Sequence, residues 1–232
     1  MFIIGLDLGQ SQDYSALCVL ERTAERGKET QYAVRHLQRW PLGTQYPVIV
    51  REVGALLDTA PLSKRDTPLV IDLTGVGRAV GDLFKSGGIR PRGITITGGD
   101  TANTEDSWLL RVPKRELVST LVALFQSGRL KIADGLAQAP VLIRELANFK
   151  VKINIATGND TYEAWRESIH DDLVLAVGLA TWYGESRTAL PFSWVPRAVP
   201  PPGAATTGER EPPTWAPLSR GLTSACRTGR LG

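Results

Sequence analysis

Acidic residues at three separate places in the chain have surroundings that are typical of phosphate chemistry. Asp7 closes the first apolar run of the sequence, and Asp72 lies near the end of a second apolar run. Asp171 and Asp172 open the most apolar segment of the chain. Ligands and metals in α/β proteins bind beside the carboxyl ends of parallel strands. The positions of these acids therefore predict one shared site at such an edge.

Carboxylates that converge on one edge repel one another unless a cation lies between them. Oxygen-only ligation selects Mg²⁺ or Mn²⁺ over softer metals. Two such ions can activate a water molecule on one side of a phosphodiester and stabilise the leaving oxygen on the other. We therefore predict two divalent ions and phosphodiester hydrolysis. Either Asp7 or Asp72 alone could instead cap a turn beside a glycine. Asp13 could be a further ligand or simply a loop acid.

The acidic pair before the apolar segment 169–184 needs separate treatment. Ser168 and Asp171 have the S-x-x-D spacing of a capping box, which predicts a structural role for Asp171 at a helix start. Asp172 has no such role and would be costly to bury unless it is paired with a cation. We favour Asp172 as the ligand and keep Asp171 as the alternative. His170 could bind a second metal, orient a phosphate, or be a surface histidine.

The periodicity of the chain predicts elements that would position these acids. Three strands are followed by a helix, a strand, a glycine turn and another helix, and this order is typical of an α/β fold with a mixed sheet. The predicted strands are 2–8, 15–21, 32–40, 69–73 and 93–97, with a hairpin of 151–156 and 161–166. The predicted helices are 47–59, one beginning near Val76, 113–126, 138–149 and 169–184, and 98–107 is predicted as a loop.

Composition excludes several classes of protein. The chain has 232 residues with 42% hydrophobic and 22% charged content, which is enough for one sizeable core and excludes a peptide toxin or a fibrous protein. No apolar stretch reaches about 18 residues, so we expect neither a membrane span nor secretion. The two cysteines predict neither a disulfide framework nor a zinc site.

The net charge of +3 is concentrated at the carboxyl end. The 27 Lys and Arg and 24 Asp and Glu include five Arg and two Glu in residues 190–232, which leaves 22 of each sign before residue 190. The same segment holds eight of the 15 prolines, which favour extended conformations. We therefore predict a folded domain over 1–187 and a flexible, disordered proline-rich tail over 188–232.

Several motifs together carry a resemblance to a known family. They are Gly5-Leu6-Asp7-Leu8-Gly9 with Asp13-Tyr14-Ser15-Ala16, Ile71-Asp72-Leu73-Thr74-Gly75-Val76-Gly77, Val112-Pro113-Lys114, and His170-Asp171-Asp172-Leu173-Val174-Leu175-Ala176. In order and spacing the chain resembles the nuclease domain of tailed-phage large terminase subunits over residues 2 to 184. No single motif is decisive, but the combined series is fairly specific.

The resemblance implies a ribonuclease H-like fold, in which helices flank a mixed central sheet, and an endonuclease that cuts concatemeric double-stranded DNA during viral genome packaging. It implies that Asp7 and Asp72 are strand-borne metal ligands and that Asp172 or Asp171 is the ligand from the last helix. It also implies the cytoplasm of a bacterial host as the compartment. Candidate partners are a separate packaging ATPase, a small terminase subunit or a portal, with no membrane.

The chain departs from the full-length family pattern in one respect. Large terminases place an ATPase domain with a G-x-x-x-x-G-K-[ST] loop before the nuclease, and this sequence contains no such loop. Because Met1 comes just before the first nuclease strand, we expect a separately encoded nuclease, a gene fragment or a cloned domain. Any packaging motor is expected to come from another chain.

Basic residues near the helix predicted to open at Pro113 are candidates for DNA contact. Lys114 and Arg115 lie in its first turn, and Arg111 comes just before it. Backbone donors at a helix start suit phosphate oxygens, whereas positive side chains there gain nothing from the helix dipole. We therefore predict that Lys114 contacts the DNA backbone, with Arg115 and Arg111 beside it.

Three other functions share part of this pattern. An actin-like or sugar-kinase-like ATPase would use Gly5 to Gly9 and Ile71 to Gly75 as phosphate loops, but it needs two lobes and gives the His170-Asp171-Asp172 helix no function. A Holliday-junction resolvase would have a similar series of acids and would have to dimerise. A non-catalytic packaging module would carry the acids as vestiges.

Overall fold

The computed structural model describes residues 1–10, 13–76, 78–98, 102–104, 108–155 and 171–189. The strands are β1 (Phe2–Asp7), β2 (Ala16–Thr23), β3 (Gln31–Arg39), β4 (Leu69–Asp72), β5 (Arg92–Thr97), β6 (Asn103–Thr104), β7 (Leu109–Pro113) and β8 (Leu130–Ile132). The helices are α1 (Tyr46–Leu57), α2 (Arg78–Ser86), α3 (Lys114–Gln126), α4 (Ala139–Ile155) and α5 (Asp172–Ala189).

The strands form one mixed sheet of eight, in the order β6-β7-β5-β4-β1-β2-β3-β8. Strands β1, β4, β5 and β7 are parallel to one another, and β2 runs antiparallel to both β1 and β3. Strand β3 therefore runs in the same direction as β1, and β8 is parallel to β3. The carboxyl ends of six described strands consequently lie at one edge, which is the edge where the acids were expected.

Helices cover both faces of this sheet because its strands are apolar on both sides. In β1, Ile3 belongs to the cluster that contains residues of α3, α4 and α5, while Ile4 and Leu6 belong to the cluster that contains residues of α1 and α2. Strands buried on both faces read as continuous apolar runs, which explains the opening sequence Phe-Ile-Ile-Gly-Leu. The predicted α/β fold with a mixed sheet is confirmed.

Helix α5 packs unusually close to β1. A Cβ added at Gly5 would overlap the carbonyl oxygen of Ala176, and it would lie 3.0 Å from the carbonyl carbon of Ala176 and 3.1 Å from the Cβ of Ala180. Only glycine permits this approach of a helix backbone to a strand. Gly5 therefore sets the distance between α5 and the strand that carries Asp7.

The other end of α5 is held by a polar cluster. Glu185 accepts a hydrogen bond of 2.7 Å from the Tyr32 hydroxyl and forms an ion pair of 2.6 Å with Arg129. Tyr32 and Arg129 come from β3 and the turn before β8, at the amino ends of these strands. Helix α5 is thus fixed to the sheet at the edge opposite the acids as well as by its close packing on β1.

Several predictions of local structure were wrong. Residues 151–155 continue α4 as a helix and do not form the first strand of a hairpin, while 161–166 lie outside the described residues. Strand β7 and the short strand β8 were missed, and β6 lies within the segment predicted as a loop. Helix α5 begins at Asp172, three residues later than predicted. The described residues of the chain end at 189, so the predicted tail is not covered.

No helix among the described residues is long and apolar enough to cross a membrane.

Candidate active site

Strand pairing places Asp7 beside Asp72. Leu6 pairs with Ile71 in the parallel register of β1 and β4, so that the next residue of each strand is an aspartate. Asp7 and Asp72 are each only 7% exposed. The structure therefore places Asp7 and Asp72 next to each other at the same edge of the sheet.

Helix α5 brings the third acid to the same edge. Ala176 lies against Gly5, and Asp172 comes one helical turn before Ala176, whereas Asp7 comes two residues after Gly5. The helix therefore runs antiparallel to β1, with its first residue toward the end of the strand. Asp172 is 5% exposed. A polar residue buried at the start of an apolar helix costs stability, which is typical of a functional position.

The electrostatics of Asp7 show that these acids are neighbours. Burial raises the pKa of Asp7 well above its usual range, and the negative charges of Asp72, Asp172, Asp171 and Asp13, in decreasing order, raise it further. A buried carboxylate surrounded by like charges disfavours ionisation. The site therefore requires compensating positive charge if all of these groups are to be ionised at neutral pH.

One source of positive charge was not identified from the sequence. Arg39 ends β3 and lies in register with Ala16, which is in turn paired with Asp7. Its Nη2 donates a hydrogen bond of 2.8 Å to Oδ2 of Asp172, and its guanidinium lies 3.7 Å from the centre of the Tyr14 ring. Two features of the sequence could have identified Arg39. A buried Asp172 requires a cationic partner, and Arg39 lies at the end of a strand.

Glu145 of α4 is a second residue of the site, after Arg39, that was not identified from the sequence. Its Oε2 accepts hydrogen bonds of 3.0 Å and 3.2 Å from the backbone N–H groups of Leu173 and Val174, so it satisfies the first turn of α5 from another helix. Its Oε1 lies 3.8 Å from Nη1 of Arg39. Burial is the main reason that the pKa of Glu145 rises to about 7.

This arrangement corrects the predicted capping box. Because α5 begins at Asp172, Asp171 lies before the helix, where its carbonyl oxygen accepts the N–H of Leu175 at 2.9 Å. Asp171 therefore occupies the N-cap position and not the third position of the first turn. Ser168, the expected cap, and His170 lie outside the described residues. Asp171 is half-buried, whereas Asp172 is buried.

The loop after β4 holds the Asp72 carboxylate in place. The Thr74 N–H donates a hydrogen bond of 2.7 Å to Oδ1 of Asp72, and the Thr74 hydroxyl accepts one of 2.7 Å from the N–H of Ile96. Gly75 has φ +84°, a conformation that favours glycine, and its missing side chain leaves room for the amide of Gln10. The turn sequence Thr-Gly thus orients a site residue.

Asp13 lies at the rim of this edge. It is exposed, and with Gly9, Gln10 and Ser15 it lines one side of a cleft of about 430 Å³, which is closed on the other side by residues 41–47. The Tyr46 hydroxyl donates a hydrogen bond of 3.1 Å to the carbonyl of Gly9 and so joins the two sides. Asp13 therefore lies at the rim of the edge that carries the buried acids.

The predicted DNA-contacting residues begin at the same edge of the sheet. Pro113 at the end of β7 pairs with Thr97 at the end of β5, and α3 starts directly afterwards at Lys114. Arg111 and Arg115 are exposed, and Lys114 is half-buried. The topology therefore places these basic residues near the edge that carries the acids.

Trp108 anchors the segment before β7 on the body of the domain. Its ring fills the space left by Gly81 and Gly93, where an added Cβ would lie 2.7 Å and 3.0 Å from ring carbons. Lys85 lies over the ring, with Nζ 3.5 Å from its centre. Trp108 therefore has a structural function, which is to hold the start of β7 against α2 and β5.

The donor set fits a hard divalent cation, although the described residues do not form a finished metal site. Among them, no three His, Cys, Asp or Glu side chains are gathered so that they could hold an ion as they stand. Asp7, Asp72 and Asp172 nevertheless supply oxygen ligands only, and their mutual repulsion is the electrostatic condition that Mg²⁺ or Mn²⁺ relieves.

Comparison with known proteins decides the family. A family model described as "Terminase RNaseH-like domain" matches residues 4–182. The chain belongs to the terminase RNaseH-like domain family. The resemblance noted in the sequence is therefore confirmed.

Individual relatives of this terminase domain agree with the assignment. The chain is 24% identical over 192 residues to the large terminase subunit of Thermus phage G20c, covering 83% of this chain and 33% of that protein. The large terminase subunit of Thermus virus P23-45 matches with the same identity and coverage. The chain thus spans about one third of the length of the curated relatives it matches.

Solved structures share the fold of this terminase domain. The large terminase nuclease of phage G20c has a TM-score of 0.50 at 23% identity, with 78% of this chain and 80% of that chain covered. The human cytomegalovirus terminase nuclease domain, soaked with Mn, has a TM-score of 0.50 at 14% identity, with 81% and 86% covered. The predicted ribonuclease H-like fold is confirmed.

Proposed function

We propose that this terminase RNaseH-like domain is a divalent-metal-dependent endonuclease that hydrolyses phosphodiester bonds in double-stranded DNA. The observation that carries the proposal is the meeting of Asp7, Asp72 and Asp172 at one buried edge from three separate elements. Membership of the family favours a nuclease over the actin-like or sugar-kinase-like ATPase, because the family is that of terminase nuclease-type domains. The biological reaction is the cutting of concatemeric viral DNA during genome packaging.

Asp7, Asp72 and Asp172 would hold the metal, which we propose to be two Mg²⁺ or Mn²⁺ ions, with Asp171, Asp13 and His170 as accessory groups. When bound, such ions activate water and stabilise the leaving oxygen of a phosphodiester. The mutual repulsion that raises the pKa of Asp7 supports this assignment, because the ions would supply the charge that the acids lack.

The protein's own contribution is the orientation of these carboxylates. The Thr74 N–H donates a hydrogen bond to Oδ1 of Asp72 and so orients this carboxylate, and Asp7 beside it is buried. Glu145 fixes the first turn of α5 and so fixes the position of Asp172. The cleft beside Asp13 offers a path for a DNA strand. Lys114, with Arg111 and Arg115, would bind phosphates at the end of β7 and the start of α3, away from the residues that line this cleft.

The packaging machine requires further components. Because the chain spans one third of its curated relatives, we assign it only the cutting step and propose that a packaging ATPase supplies translocation. A small terminase subunit and a portal are the other proposed partners, and the host cytoplasm is the proposed compartment. The predicted tail over 188–232 is a candidate contact for one of them.

Plasmid cleavage tests the proposal. Supercoiled plasmid is incubated with the full chain and Mn²⁺ or Mg²⁺, alongside Asp72→Asn and the exposed-acid control Asp82→Asn. We expect the parent and the control to produce nicked and linear DNA. Asp72→Asn should cut at least about 100-fold more slowly, because loss of a residue that only orients a metal ligand already costs about 10- to 100-fold.

Three outcomes would contradict the proposal. Equal cutting by Asp72→Asn would exclude this carboxylate from the chemistry. ATP hydrolysis without DNA cutting would favour the ATPase alternative. Selective cutting of four-way junctions, with linear and supercoiled duplexes left intact, would favour the resolvase.

A further inference from the structure

A guanidinium lies inside the group of acids. The Arg39 side chain is 16% exposed and donates from Nη2 to Oδ2 of Asp172 at 2.8 Å. The Tyr14 ring covers its plane at 3.7 Å. The carboxylate that the last helix would offer to a metal is therefore already paired with a positive charge from the protein.

Glu145 offers the same guanidinium a second acceptor. Oε1 of Glu145 is buried and makes no hydrogen bond to the residues that the structure describes, and the same is true of Nε of Arg39. The gap between Oε1 and Nη1 of Arg39 is 3.8 Å. A charge-assisted hydrogen bond needs about 2.7–2.9 Å, so a movement of about 1 Å would form it. Glu145 would not lose its cap on α5, because Oε2 makes the contacts to Leu173 and Val174.

A metal ion and Arg39 cannot both use Asp172 without cost. Two positive charges within hydrogen-bond distance of one carboxylate repel each other, and the repulsion is strong in a buried environment. Arg39 has an alternative acceptor on the side of α4. This acceptor is Oε1 of Glu145, which makes no hydrogen bond within the described residues and lies next to the guanidinium.

We propose that Arg39 is a built-in competitor for the metal ion, which neutralises Asp172 in the metal-free domain and transfers to Glu145 when metal binds. The inference rests on the proposed function, since it assumes that Asp172 is a metal ligand. The exchange sets the metal concentration at which the site fills. It also preserves the position of Asp172 at the start of α5 while the metal is absent.

Mn²⁺ binding measured by isothermal titration calorimetry on the full chain tests the competition. Arg39→Gln removes the competing cation and should tighten Mn²⁺ binding about tenfold, equivalent to about 1.4 kcal/mol. Arg35→Gln is the matched control, because Arg35 lies on the same strand, is 52% exposed and pairs with Glu21. It should change the affinity by less than about twofold, since an exposed charge is screened.

A double-mutant cycle tests the transfer to Glu145. Glu145→Gln keeps an oxygen for the N–H groups of α5 but weakens the second acceptor for Arg39. It should weaken Mn²⁺ binding severalfold when Arg39 is present and clearly less in the Arg39→Gln background. Equal weakening in both backgrounds would mean that Glu145 acts only as a nearby negative charge, and would overturn the transfer.

The outcomes separate this inference from the proposed function. Unchanged or weaker Mn²⁺ binding by folded Arg39→Gln would overturn the competition. If Arg39→Gln does not fold, Arg39→Lys serves in its place. The ammonium of lysine lacks the guanidinium fork and competes less well for Asp172, so this variant should tighten Mn²⁺ binding at least about threefold. Mn²⁺ binding that is absent in the parent, or equal in Asp7→Asn, would contradict the proposed metal site itself.

Discussion

Replacing Gly5 with alanine should separate α5 from β1 and thereby move Asp172 away from Asp7. The added Cβ would overlap the Ala176 carbonyl oxygen and lie 3.0 Å from its carbon, with the Cβ of Ala180 at 3.1 Å. The overlap with the carbonyl oxygen is the most severe of these contacts, so the helix must retreat by about 1 Å or more before the Cβ reaches an ordinary van der Waals distance. The obstacle is helix backbone and cannot be relieved by a side-chain rotation.

The displacement of α5 determines how much stability and how much cutting rate are lost. Overpacking of a close-packed core costs about 1–3 kcal/mol, which for a domain of this size lowers Tm by about 2–12 °C. A shift of about 1 Å in a reacting group costs up to about 100-fold in rate. We therefore expect Gly5→Ala to lower the free energy of unfolding and to slow DNA cutting together.

Gly178→Ala is the matched control, because Gly178 lies in the same helix and an added Cβ there would meet no atom of the described part of the chain within 4 Å. It should leave cutting unchanged and stabilise the helix by up to about 1 kcal/mol. Denaturant unfolding and plasmid nicking with Mn²⁺ measure the two quantities. If Gly5→Ala matches Gly178→Ala in both, the close approach of α5 to β1 does not position the site.

Two further predictions concern DNA contact and pH. Lys114→Ala should weaken DNA binding and reduce the slope of log affinity against log salt by about 1, whereas binding that is unchanged across a salt series would exclude a phosphate contact. The pKa of Glu145 is about 7 in the folded domain against a usual 4.5. In the metal-free protein, the contribution of protonated Glu145 to the free energy of unfolding should therefore be complete below pH 4.5 and should be lost as pH rises through 7. Glu145→Gln should flatten this pH dependence of Tm in thermal melts. A profile that stays as steep in the variant would assign the pH dependence to other groups.

The sequence predicted the parts of the site that lie on strongly patterned elements. The apolar runs before Asp7 and Asp72 mark buried strands, and the glycines after them mark turns, so the position of both acids at strand ends could be read directly. Asp172 could be selected because a charged residue at the start of an apolar helix needs a functional or electrostatic reason.

The parts of the site and of the fold that the sequence did not predict depend mainly on contacts between distant parts of the chain. Arg39 and Asp172 are 133 residues apart, and Glu145 comes from another helix, so neither partner is marked by local spacing. The segment 151–155 alternates apolar and polar residues like a strand, yet α4 continues through it, because extending an existing helix needs no new nucleation. Strand β8 has only three residues, which is too short to show a period.

Anomalous diffraction at the manganese edge, from crystals of the chain soaked in Mn²⁺, tests the proposed metal site directly. We predict two peaks at about 2.0–2.2 Å from carboxylate oxygens of Asp7 and Asp72, with Asp172 completing the site. We also predict that the peaks disappear in Asp7→Asn. Ordered Mn²⁺ bound elsewhere, with no metal at these three carboxylates, would contradict the proposed site.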